Sequence, residues 1–214
     1  MKNKNKVMIW DLSLRLFHMI LILLVTGSII SAKLDRLDIH QYFGVMILGL
    51  MFFRILWGFL GTFNSTFKSF IFSPYNIYLI FLGRYQNKSI RSPLGSLSVI
   101  SFIFALFVLS VSGLFSSDDI IYDGPLVYLM PEYTYFWTKV HNLFHFILYG
   151  LITLHLSAIF YYQFLKKNQI IQQFIDGYSR GKHFNFISIK EKVLKGIILL
   201  LIFLFLPLIL LLYA

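Results

Sequence analysis

The chain has 214 residues, of which 58% are hydrophobic and only 13% charged, whereas ordinary soluble domains carry roughly 25% charge. It contains no cysteine, which excludes disulfides, iron–sulfur clusters, thiolate-ligated or CxxCH-attached haem and cysteine-type zinc sites. The formal net charge of +10 is spread over particular loops, so it reads as membrane topology and contact with anionic lipid, not as a nucleic-acid surface.

Five apolar stretches approach or exceed the roughly 20 residues that cross a bilayer as a helix. They lie at about 14–33, 41–62, 95–116, 138–163 and 196–213. The sequence therefore predicts an all-α integral membrane protein. Residues 1–165 would form a four-span bundle, 166–195 a basic loop, and 196–213 a fifth, peripheral transmembrane helix.

Fifteen lysines and arginines fall before span one or at its start, between spans two and three, and between spans four and five. The opposite loops carry only Lys33, Arg36 and Lys139, together with Asp35, Asp38, Asp118, Asp119, Asp123 and Glu132. Basic residues collect on cytoplasmic loops. The expected location is thus a cytoplasmic membrane, with the N-terminus inside and the C-terminus outside. Span one is long, and SIISAKLDR offers only Ser31 and Ala32 as a weak cleavage cue, so it is not read as a signal peptide.

Along the chain, span one brings His18 near its cytoplasmic end and span two brings His40 at its external end. The segment SPYNIYLIFLGRYQ after span two is aromatic and lightly charged, and reads as interfacial. The loop SSDDIIYDGPLVYLMPEYTYFW is acidic and aromatic, and is expected to pack over the helix ends. Span four holds HNLFHFILYGLITLH, with His141, His145 and His155. An imidazole in such a run costs free energy unless something uses it. The loop QQFIDGYSRGKHFNF is polar and basic, and its His183 is read as having no role. Span five, GIILLLIFLFLPLILLLY, shows no small-residue seam of the kind that lets membrane helices pack closely. Pro207 is a candidate kink in it.

Fourteen residues separate His141 from His155, about 21 Å along a helix and within about 40° of a whole number of turns. Both side chains then leave span four on nearly one face. His141 shares its depth with His40, and His155 shares its depth with His18. Two imidazoles facing across a gap suit a b-type haem held on both faces and used for electron transfer. Zinc would require four ligands, or three and a water. His141 and His145 have the i, i+4 spacing of a metal pair, but no glutamate or third ligand accompanies them. His145 reads as an extra contact near the outer haem, as a proton-handling group at a quinone pocket, or as a satisfied structural histidine. Arg54 lies at the inner depth, where a haem propionate would answer its charge. Arg15 could serve the same haem or act as an ordinary interfacial anchor. Gly27, Gly44 and Gly150 permit close approach, either of a flat macrocycle or of a neighbouring helix.

The stretches IWDLSLRLFHMILILLVTGS, IHQYFGVMILGLMFFRILWGFLG, SGLFSSDDIIYDGPL and HNLFHFILYGLITLHLSAIFYYQF resemble the bacterial cytochrome b561 family and the related b-type subunit of nickel–iron hydrogenases. The resemblance covers most of residues 9 to 164. Met19 stands where the family often has Trp. The resemblance implies a four-helix bundle with two non-covalent b haems and with His18, His40, His141 and His155 as axial ligands to iron; Arg54 lies in the family's RxxWGFxG stretch. The expected function is transmembrane electron transfer between the quinone pool and a redox partner protein on the periplasmic side. Any enzymatic activity would be quinol oxidation or quinone reduction at a haem edge. A hydrogenase-type subunit is the alternative within the class, and a haem-free, histidine-lined transporter is the alternative outside it. A homodimer is left open.

Overall fold

The computed structural model describes residues 8–70, 75, 78–79, 82, 84, 93–118, 120, 122–178 and 193–212. The interfacial reading of 73–86 falls largely outside the described residues, and His183 falls outside them altogether. Five helices are long and apolar enough to cross a membrane. They are α1 (Leu12–Lys33), α2 (Leu37–Leu60), α3 (Pro93–Leu114), α4 (Thr134–Phe160, running on through a π turn at Tyr161–Leu165) and α6 (Val193–Phe205, running on as a 3₁₀ segment Leu206–Leu212). A short helix α5 (Ile170–Asp176) stands between the last two. All five predicted spans are present within a few residues of their expected ends.

Helix α2 is the centre of the bundle. Leu50, Met51, Phe53 and Trp57 are almost fully buried along it, and it packs against α1, α3 and α6. Helix α3 in turn packs against α4, whereas among the described residues α1 and α4 come into little direct backbone contact. Only Thr134 and Leu148 are buried in the 27 residues of α4, so it forms the edge of the bundle. We call the end carrying the start of α1, Lys68 and Lys166 the basic end, and the end carrying Asp35, Asp38 and Asp123 the acidic end.

Helix α1 begins where the sequence supplies a cap. Asp11 has extended backbone and its Oδ1 accepts from the Leu14 amide at 2.7 Å, satisfying one of the donors that a helix start leaves free. Its other oxygen, Oδ2, accepts from Trp57 Nε1 at 3.3 Å, from Thr62 Oγ1 at 2.7 Å and from Ser65 Oγ. Asp11 is only 2% exposed. One carboxylate thus ties the start of α1 to the end of α2 and the turn that follows.

The acidic loop after α3 does pack over the helix ends. Leu126 N donates to Leu114 O at 2.9 Å and Gly124 N to Ser116 O at 2.8 Å. Thr138 of α4 exchanges hydrogen bonds with the Ser117 backbone, and Trp137 stacks on Phe115 with centroids 5.4 Å apart.

Span five is held more closely than its own sequence suggests. A Cβ at Gly49 of α2 would lie 1.8 Å from the Phe203 carbonyl oxygen, and one at Gly196 would press on Ser13 and the Trp57 ring. Leu200 and Leu204 are buried there. The small residues of the seam therefore come from α2 and from the first turn of α6. From Leu206 the helix tightens to 3₁₀, as expected where Pro207 cannot donate to an i−4 carbonyl. Gly49→Leu is expected to push α6 off α2 and to cost about 3 kcal/mol. Thermal unfolding of the purified protein, with proteolysis of residues 193–212 as a local probe, checks this. Unchanged stability would refute the seam.

Candidate functional site

The structure brings four of the five histidines in the spans, His18, His40, His141 and His155, together as two pairs. At the basic end the His18 and His155 rings are 6.5 Å apart, centroid to centroid, at 60°. At the acidic end His40 and His141 are 6.2 Å apart at 84°. Metal–imidazole bonds are about 2 Å, and a ring nitrogen lies about 1 Å from its ring centre. Two imidazoles on opposite faces of one iron therefore have centroids roughly 6 Å apart, which both pairs match. Among the described residues, no three or more His, Cys, Asp or Glu side chains gather as a metal cluster. The donor sets are two-nitrogen sets, which suit haem iron rather than zinc.

The acidic-end imidazoles are oriented by their own helices' neighbours. His40 Nδ1 donates to Ser28 O at 2.9 Å, with Ser28 Oγ at 3.1 Å. His141 Nδ1 donates to Leu109 O at 3.0 Å, with Ser112 Oγ at 3.3 Å. A carbonyl oxygen can only accept, so each Nδ1 carries the proton. Each Nε2 is then left with a free lone pair, the form that binds a metal. Gly113 lets the His141 ring lie against α3, since a Cβ there would sit 3.2 Å from its Cε1.

The basic-end pair is framed differently. Phe102 of α3 lies 5.4 Å from the His155 ring, and Phe174 of α5 lies 4.8 Å from the His18 ring. His18 Nδ1 is buried without a hydrogen-bond partner. Phe174 is there because the chain folds back after α4. The π turn at Tyr161–Leu165 and Lys167, with φ 54°, reverse it. Gly177, with φ 83°, caps α5, and its carbonyl accepts from Ile9 N at 2.8 Å and Trp10 N at 3.2 Å. The segment read as the start of a basic loop is thus a lid of one short helix over His18.

Arg54 is 2% exposed and stands one residue from Phe53, which packs on Phe17, so it shares the depth of His18. Its guanidinium lies over Phe67 at 5.1 Å and Phe70 at 5.9 Å, with Asp11 as the nearby negative charge. Its Nη1 is buried without a hydrogen-bond partner. An orphaned guanidinium N–H is suited to an anionic oxygen such as a propionate. Arg15 Nη1 donates to Ile175 O at 2.5 Å, holding the last turn of α5, while its Nε is buried without a partner. Of the three glycines, Gly27 serves helix packing, since a Cβ there would meet Phe43 at 2.8 Å. Gly44 and Gly150 would meet nothing within 4 Å. His145 stands 4.3 Å from the Tyr149 ring and 4.9 Å from Phe146.

Sequence reasoning missed Asp11, Ser28, Ser112, Gly113 and Phe174. Asp11 was readable as an N-cap immediately before an apolar run. The IIQQFIDG stretch carries a glycine stop signal for α5. The serines gave no signal that distinguishes them from ordinary small residues in a span.

Comparison with known families finds a match to the family described as prokaryotic cytochrome b561 over residues 9–177. The matched region begins at the Ile9 contact with Gly177 and ends at Gly177 itself, so it takes in both histidine pairs and the α5 lid. No curated protein and no solved structure matches the chain.

Proposed function

Since the chain belongs to the prokaryotic cytochrome b561 family, whose members are membrane b-type cytochromes of electron transfer, we propose that it holds two non-covalent b haems. One would lie between His18 and His155 and the other between His40 and His141, as paths for single electrons between the quinone pool and a redox partner protein. The observation that carries this reading is the presence of two imidazole pairs with centroids 6.5 and 6.2 Å apart, about 21 Å apart along α4.

Bound haem, held by one imidazole from each member of a pair, would supply a one-electron iron couple. The protein does the rest. Ser28 O and Leu109 O fix the tautomer and ring plane of His40 and His141, as outer-shell partners of ligand histidines do. Arg54 offers its unpartnered Nη1 to a propionate of the basic-end haem, and Arg15 Nε lies at the same end. Phe102 and Phe174 keep water from the His18–His155 pair.

The charge asymmetry supports a cytoplasmic basic end and a periplasmic acidic end, with the redox partner meeting the acidic face. A reporter fused after Ala214 is then expected to read as periplasmic, and one inserted at Lys182 as cytoplasmic. The reverse pattern would exchange the inner and outer haems. The cofactor reading is tested by the reduced-minus-oxidised spectrum and the haem-to-protein ratio of the purified chain. Two b haems per chain are expected, and none, or a single one, would defeat the proposal.

A further inference from the structure

Among the described residues, the Asp, Glu, Lys and Arg side chains buried in the bundle are Asp11 and Arg54, each 2% exposed, and both stand at the basic end. Asp11 has no role in the proposed haem sites. A charge taken out of water costs free energy that packing alone does not return, so a use for it is expected.

The carboxylate is fixed in place. Its Oδ1 accepts from Leu14 N, and its Oδ2 accepts from Trp57 Nε1, Thr62 Oγ1 and Ser65 Oγ. Both oxygens act as acceptors, the arrangement of a carboxylate rather than of a carboxylic acid. Trp57 stands three residues beyond Arg54, one turn along the same side of α2, so its bond to Asp11 brings the negative charge beside the guanidinium. The two attract each other across that turn, yet Arg54 Nη1 keeps no hydrogen-bond partner. Asp11 therefore steadies Arg54 without occupying the N–H that a propionate would take.

The same charges lie close to the basic-end pair. Asp11 precedes His18 by seven residues, about 10 Å along α1 and within about 20° of two whole turns. Arg54 shares the depth of His18. Around the acidic-end pair the polar neighbours are instead neutral groups of Ser28, Leu109 and Ser112.

We propose that Asp11 is a positioning residue that, with Arg54, sets the reduction potential of the basic-end haem, Arg54 raising it and Asp11 lowering it. This rests on the two-haem reading. The sign follows from charge. Reduction places one more electron on the iron, which a nearby cation favours and a nearby anion opposes. At about 10 Å in a protein interior, one unit charge changes such a one-electron equilibrium about tenfold, or about 59 mV.

The test is a potentiometric titration of the detergent-solubilised holoprotein, followed by haem absorbance, with the basic-end haem assigned from the His141→Ala variant expected to retain it. Asp11→Asn is expected to raise the potential of that haem by about tenfold in the equilibrium, and Arg54→Gln to lower it by a similar factor, with the acidic-end haem unmoved. Arg54→Lys keeps the charge and is expected to recover most of the fall. A merely structural role predicts another pattern: water admitted to the site favours the more highly charged oxidised form, so both Asp11→Asn and Arg54→Gln would lower the potential. A fall or no shift in Asp11→Asn, with two haems bound, would overturn the inference and leave the two-haem reading standing. Should Asp11→Asn yield no holoprotein, Arg54→Gln decides, and an unchanged potential there is equally fatal. A wild-type chain without two haems would overturn both.

Discussion

Replacing His155 with Ala is expected to remove the haem at the basic end and leave the one at the acidic end, and replacing His141 with Ala is expected to do the reverse. Each substitution deletes one of the two nitrogens proposed to hold an iron while leaving the other pair about 21 Å away along α4. The haem-to-protein ratio should fall by about half in each variant. The surviving haem should report which site was lost, because the two surroundings differ. The acidic-end imidazoles are held by Ser28 O and Leu109 O, whereas His18 is held by the Phe174 lid. Retention of two low-spin haems by either variant would refute the ligand assignment.

Asp11→Ala is expected to destabilise the protein by about 3–5 kcal/mol, the usual cost of removing one partner from a buried charged network. The substitution deletes the α1 cap and leaves Trp57 Nε1, Thr62 Oγ1 and Ser65 Oγ without their shared acceptor. It also removes the negative charge facing the buried Arg54. Asp11→Asn keeps a side-chain acceptor but loses the charge, and should fall between wild type and Ala. Thermal unfolding of the holoprotein measures the series. An Ala variant as stable as wild type would show that the carboxylate is dispensable.

These two predictions draw on different kinds of information. The His141–His155 relation is legible because a helix fixes it: fourteen residues return a side chain to nearly the same face whatever surrounds the helix. The depth matches with His40 and His18 follow from the fixed rise per residue and the common thickness of the bilayer. Asp11 is legible as a cap for the same local reason. That its second oxygen reaches Trp57, Thr62 and Ser65, 46 to 54 residues away, is not legible, since nothing local relates these positions.

The five spans and their order were determined by the sequence alone, because hydrocarbon requires about 20 continuous apolar residues with every backbone group satisfied inside the helix. The tertiary structure decided which face of each span turns inward. In water an apolar stripe marks the buried face, but lipid is as apolar as Leu and removes that mark. The close fit of α6 on Gly49, the serine carbonyl that orients His40 and the fold-back of Phe174 onto His18 are therefore invisible in a run of Leu, Ile and Phe. They depend on how neighbouring helices are rotated and how closely their backbones approach, which only the packed bundle specifies.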